Sequence, residues 1–403
     1  MIDPLDIRTA ISTANEPYIL RNFHLDWEIF RLTFDDWCQR MDKHIRNEAV
    51  QFTSGTMKHC DIPYWERFRT HEHLTFSEFT KKSIGDAFND RWYSHSYRDI
   101  LSWPESLSKS ISFAKLGFEN TEDILFWLGS KGANTPCHYD TYGFNIVVQV
   151  FGRKSWLLFP PKTPITATRV PFEESSVYCK QNFYSPADMD QFGDIGKNQD
   201  AFEVTLSPGD ILIVPANWWH YVENLETSLT VNTWIPLNVK DSLARLGECF
   251  VRMQIEQITA DDSDFGNEEL RKYIYNPNEM NEPDLNLMNL FKPLADVVIE
   301  NTKNEDPLDS QETLSRGQEI RDKYHSTFHK VEPVSHDRFR QILLQNSVRH
   351  EHALDERKIN GMRFQEVENV INAVCHPKTV DSACQLYLQQ IRNEISKNGL
   401  VIK

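Results

Sequence analysis

The chain has 403 residues, 40% hydrophobic and 12% aromatic, enough for a catalytic domain of ordinary size plus a smaller unit, which excludes a disordered protein. Its 43 basic and 59 acidic residues leave a formal charge of −16, which repels a nucleic-acid backbone, so no nucleic-acid partner is expected. No apolar run approaches the roughly 18 residues of a membrane span, the start Met1 to Asp6 lacks a signal-peptide pattern, and the seven cysteines, with no Cys-x-x-Cys pair, read as reduced thiols. These features point to a cytoplasmic location, with the nucleus open, and to no membrane partner.

Residues 5 to 25 predict an early helix and then an apolar strand, Pro17 to Arg21. Trp27, Phe30, Leu32, Phe34 and Trp37 form an aromatic patch that reads as core. Leu74 to Phe79 reads as a helix capped by Thr75 or Ser77. From about 111 to 238, short strands broken by Gly, Pro and Asn predict a squashed barrel of two antiparallel sheets. One long interruption, about Pro160 to Asp200, reads as a loop that shapes the mouth of a site.

Within this barrel lie His138 and Asp140, spaced i, i+2, so that on an extended strand both point to one side while Tyr139 points away. The turn Ser207 to Asp210, the apolar strand Ile211 to Val214 and the pair Trp218-Trp219 lead to His220, just past a strand end. Two imidazoles and one carboxylate make the set that holds ferrous iron on one face and leaves the other positions open. Ser228 to Trp234, alternating and rich in β-branched residues, reads as the next strand. Asn145 and Asn232 sit on strands where apolar residues are the cheaper choice for a barrel interior.

The runs Phe126 to Pro161 and Ser207 to Pro236 resemble the JmjC-domain oxygenases, which depend on Fe(II) and 2-oxoglutarate. Phe172 to Asn182 and Trp218 to Val222 look most like the branch associated with small heat-shock proteins; the asparagine hydroxylases acting on hypoxia-inducible factor are similar more distantly. The resemblance covers about residues 15 to 240. It implies a mainly β fold with helices, a JmjC/cupin double-stranded β-helix with a helical C-terminal region. Residues 1–110 would form an α/β part supporting the barrel, 111–238 the barrel and 239–403 the helical region.

The resemblance also implies metal ligands at His138, Asp140 and His220, and 2-oxoglutarate as co-substrate. A far carboxylate buried in the barrel demands a cation and a hydroxyl. Lys154 and Thr135 match the family positions for these roles, while Asn145 and Asn232 would line the iron pocket. Strict alternation from Asn145 favours Arg153 instead of Lys154, unless Gly152 forms a bulge that flips the phase. A tyrosine ahead of the barrel contacts the co-substrate in related enzymes; Tyr93 and Tyr97 both qualify. The expected activity is protein side-chain hydroxylation. Lysine demethylation, or a non-catalytic module binding a small heat-shock protein, are the alternatives.

Beyond 240, Leu243, Leu246, Phe250 and Met253 recur at helical spacing, and loops are expected at Asn276 to Asp284 and Asn301 to Ser310. Further helices are predicted near 335–346, 362–375 and 379–396. The last carries Val380, Cys384, Leu388, Ile391 and Ile395 on one face, a stripe that suits a core or, as in related oxygenases, a homodimer interface. His325, His329, His336, His350 and His352 read as solvated histidines rather than a second metal site.

Overall fold

The computed structural model describes residues 2–57, 69–84, 90–119, 121, 123–260, 267–277, 279, 287–301, 310–349 and 364–397. Among the described residues fifteen strands occur in chain order: β1 (Tyr18–Leu20), β2 (Val50–Thr56), β3 (Thr70–Leu74), β4 (Arg91–Asp99), β5 (Leu125–Gly129), β6 (Asn134–Asp140), β7 (Phe144–Phe151), β8 (Lys154–Phe159), β9 (Ala167–Glu173), β10 (Ser176–Cys179), β11 (Phe202–Leu206), β12 (Ile211–Val214), β13 (Trp219–Asn224), β14 (Ser228–Ile235) and β15 (Phe328–Lys330). They form two antiparallel sheets, one in the order β15-β1-β12-β7-β14-β5-β4-β2-β3 and the other in the order β11-β8-β13-β6-β10-β9. Asn145, Val147 and Asn232 from the first sheet and Trp156, His220 and Val222 from the second line one cavity between them. This is the expected mainly β double-stranded β-helix.

The chain passes from the first sheet to the second at Gly152-Arg153, between β7 and β8. Gly152 has φ +62°, and a Cβ there would lie 2.1 Å from the Thr227 carbonyl oxygen, so only glycine fits. The expected phase flip is present but made differently: the extra residue on β7 is Val150, since Leu229 pairs with Phe151 while Thr230 pairs with Gln149. The stretch 160–200 is not a single loop. It contains the hairpin β9–β10, which joins the edge of the second sheet beside β6.

Helix α1 (Pro4–Ser12) precedes β1, as expected. Helices α2 (Phe34–His44) and α3 (Phe76–Ile84) bury Trp37 against Phe34, Phe76, Trp103 and Phe126, so the aromatic patch is core. Thr75 caps α3, accepting from the Glu78 amide while Glu78 accepts from the Thr75 amide. After the short α4 (Glu105–Ser108), the C-terminal region supplies α5 (Asn238–Ile258), α6 (Asn267–Ile274), α7 (Met288–Asn301), α8 (Gln311–Lys323), α9 (His336–Ser347), α10 (Gln365–Val374) and α11 (Pro377–Lys397). On α11, Cys384, Leu388 and Ile391 are buried against α5 and α7 of the same chain, so the stripe proposed for a homodimer face serves the internal core. Of the two expected loops, 278, 280–284 and 302–309 lie outside the described residues, as do His350 and His352. His325 and His329 each bond to a backbone carbonyl at 3.2 Å. The six described cysteines are unpaired. Among the described residues no helix is long and apolar enough to cross a membrane.

Candidate metal centre

Strand β6 supplies two side chains to one face, and β13 places a third directly across from them: His220 is the cross-strand partner of His138. The ligand atoms of His138, Asp140 and His220 lie within 4.8 Å of one another, and the two imidazole centroids are 4.2 Å apart. Among the described residues this is the only such cluster of three. Each ring is oriented by its own strand, with His138 Nδ1 2.9 Å from the Pro136 carbonyl and His220 Nδ1 2.9 Å from the Trp218 carbonyl. A carbonyl only accepts, so each Nδ1 carries the proton and each Nε2 keeps its lone pair for a metal. His138 Nε2 stands 3.8 Å from Asp140 Oδ1, while Asp140 Oδ2 accepts from the Trp234 indole at 3.0 Å. The Trp156 ring stacks on His220 at 5.8 Å.

Thr135 is three residues from His138 and on a regular strand would face away. Register with β13 steps from His220–His138 to Val222–Thr135, leaving one extra residue on β6 at Pro136-Cys137. Pro136 has no N–H to give a ladder, so the bulge falls there, and it turns Thr135 onto the His138 face. Thr135, His138 and Lys154 accordingly line both an inner cavity of about 50 Å³ and an outer one of about 160 Å³.

Lys154 faces inward and is 6% exposed, whereas Arg153 is on the surface paired with Glu226. The Lys154 ammonium donates to the Trp127 carbonyl (3.2 Å) and to Thr230 Oγ1 (3.0 Å). Among the described residues no carboxylate pairs with it, and burial lowers its pKa to about 7. A buried cation without a counter-ion, beside a cavity, is the partner a ligand carboxylate requires. Asn145 and Asn232 both line the inner cavity: Asn232 Nδ2 donates to Asn145 Oδ1 (3.0 Å) and Trp127 Nε1 donates to Asn232 Oδ1 (2.8 Å).

Of the two tyrosines, Tyr93 is buried in the N-terminal core with the Lys82 ammonium over its ring, whereas Tyr97 lines the outer cavity. Tyr97 is the extra residue of a bulge in β4, has φ +57° and packs edge-on to Trp127 at 5.5 Å. The hairpin β9–β10 supplies Glu173, Ser176 and Tyr178 to the outer wall, so part of the 160–200 stretch does shape the mouth. Sequence reading gave no site role to Thr230, or to Trp234, which it placed only as the end of a strand. The period of two through Thr230, Asn232 and Trp234, all lining the inner cavity, is the signal that finds both.

A profile of the cupin-like domain matches residues 4–236, more than half of the chain. The chain belongs to the cupin-like JmjC family. Members of this family generally use Fe(II) and 2-oxoglutarate, and the fold is of the oxygenase type. The chain is 35% identical over 272 residues to the human protein named HSPB1-associated protein 1, covering 62% of this chain and 54% of that one. It is 31% identical over 268 residues to the HSPB1-associated protein 1 homolog of Danio rerio, 62% of this chain and 58% of the other. Lysine-specific demethylase 8 of Xenopus tropicalis is 29% identical over 225 residues, 54% and 48% respectively. The match spans little more than half the length of these HSPB1-associated relatives.

Proposed function

We propose that this chain is an Fe(II)- and 2-oxoglutarate-dependent oxygenase that hydroxylates a protein side chain. The carrying observation is the convergence of His138, Asp140 and His220 beside a cavity that also holds the buried Lys154, which no carboxylate among the described residues neutralises. His138, Asp140 and His220 would hold the iron on one face. Bound iron supplies dioxygen activation, coupled to decarboxylation of 2-oxoglutarate to succinate. The protein's own part is placement. Lys154, with the Thr135 and Thr230 hydroxyls, would receive the far carboxylate, and the Asn145–Asn232 pair would order the inner wall. Trp234 holds Asp140 with one oxygen turned toward the imidazoles, and Trp156 covers His220 from the other side.

Iron-dependent succinate formation by the purified protein, lost in His138→Ala, tests this reading; activity that survives the substitution sinks it. Mass spectrometry of protein extracts treated with enzyme, iron, 2-oxoglutarate and labelled dioxygen should find one added oxygen atom on a single peptide. Formaldehyde release instead would move the assignment to lysine demethylation, which the name of the Xenopus relative favours. The names of the human and fish relatives support a small heat-shock protein as partner. Retention of such a partner by His138→Ala would show that binding is independent of the metal.

A further inference from the structure

A hairpin forms the outer wall of the metal centre's mouth, and residues beyond the barrel hold it. Glu173, Ser175, Ser176 and Tyr178 line the outer cavity, with Ser176 opposite Asp140 and Tyr178 opposite His138. The turn at Glu174-Ser175 stands at a crossing. Tyr97, Ser175 and Trp234 border both this cavity and a larger groove of about 1110 Å³, which Leu5, Glu119 and Pro236 also line. That groove is much larger than one side chain, so a polypeptide lying in it would pass a residue inward between these three, beside the indole that holds Asp140.

Backbone groups along the hairpin are met from the C-terminal region. The Arg169 amide donates to Asn372 Oδ1 of α10 (2.8 Å), the Phe172 carbonyl accepts from the Asn276 amide (2.8 Å), and the Glu174 amide donates to Glu279 Oε1 (2.7 Å). At the turn itself the grip comes from Glu248 of α5. Its carboxylate accepts from the Ser175 amide (3.3 Å) and from the Arg169 guanidinium, which also donates to the Ser176 carbonyl (3.2 Å). Both members of this ion pair are 6% exposed. A buried ion pair adds little net stability over apolar residues of the same volume, but it fixes geometry where its remaining bonds are met, as here at Ser175 and Ser176. Helix α5 starts at Asn238, past the end of the family-matched segment at 236.

We infer that Glu248 is a positioning residue for the protein substrate: through Arg169 and the Ser175 amide it fixes the turn that walls the passage from groove to metal. A helix outside the matched domain thereby governs what reaches the site. The catalytic half of this inference rests on the oxygenase reading. Glu248→Ala alone would strand the buried Arg169 charge, so the test pairs Glu248→Leu with Arg169→Met in the full chain, which keeps the volume and removes the grip. Hydrogen exchange of residues 173–177 should quicken about tenfold, with that of β13 unchanged. Co(II) affinity, read by absorption, should stay as in the native chain. With protein extract, iron, 2-oxoglutarate and labelled dioxygen, the extract concentration giving half-maximal label should rise about tenfold while the plateau holds. Native exchange at 173–177, a fall in Co(II) affinity, or an unchanged half-maximal concentration overturns the role. If the native chain forms no succinate, the oxygenase reading fails by itself, and the exchange and cobalt measurements still decide whether Glu248 holds the turn.

Discussion

Lys154 is a basic side chain enclosed by a barrel, and its ordinary pKa near 10.5 falls to about 7 because burial penalises the ammonium. A folded-state pKa below the unfolded one means that the unfolded chain binds more protons between about 7 and 10.5. Stability of the ligand-free protein from this group therefore rises with pH through that window, and its penalty is fully present below it. Urea unfolding at pH 6 to 9 should show this rise in the native chain and its loss in Lys154→Met, which should also be more stable at pH 6 by about 1–3 kcal/mol. Under the proposed function, 2-oxoglutarate affinity should run the opposite way, falling up to about tenfold per pH unit above 7, because its carboxylate would need the charged amine. Trp234→Phe should keep the fold and lower Co(II) affinity by about 10- to 100-fold, read by the cobalt absorption, because the indole bond to Asp140 is lost. At this scale the metal-facing trio was legible from spacing and strand signals. Thr230 was not, since its role shows only once Lys154 is known to turn inward.

Among the elements, three departures from regular strand geometry decide what faces the cavity: the extra residue near Pro136, the extra Val150 and the corner at Gly152. Alternation alone could not arbitrate between Arg153 and Lys154, because β7 and β8 belong to different sheets and the phase restarts at the corner. Gly152→Ala should cost more than about 2 kcal/mol, since the methyl group would meet the Thr227 carbonyl at positive φ; the thermal midpoint checks it. The helices were readable from their apolar spacing. The β9–β10 hairpin was hidden by Pro171 and by the turn at Glu174-Ser175, which punctuate a segment whose pairing partner, β6, is distant in sequence.

For the molecule as a whole, the parts outside the barrel are tied into it. Phe339 and Leu343 of α9 pack in the cluster behind the second sheet, Arg349 pairs with Glu223 of β13 at 2.5 Å, and Arg338 with Glu203 of β11 at 2.7 Å. Arg321 of α8 donates to the Ala10 carbonyl (2.6 Å) and to Thr13 (2.9 Å). None of this was visible in the sequence, where the residues beyond 240 read as helices without an address. Long-range ion pairs leave no periodic trace.

Strand β15 lies against β1, which in turn lies against β12, so a three-residue ribbon from position 328 shields the outermost rung of the larger sheet. The portion matched by the family profile is thus only part of a folding unit, and severing it at 240 would bare an adhesive edge that invites clumping. Co-expressed halves spanning 1–301 and 310–403 should find each other and copurify, whereas 1–240 alone should sediment. Halves that stay apart, or a freely dispersed short form, would show that the tail is ornamental.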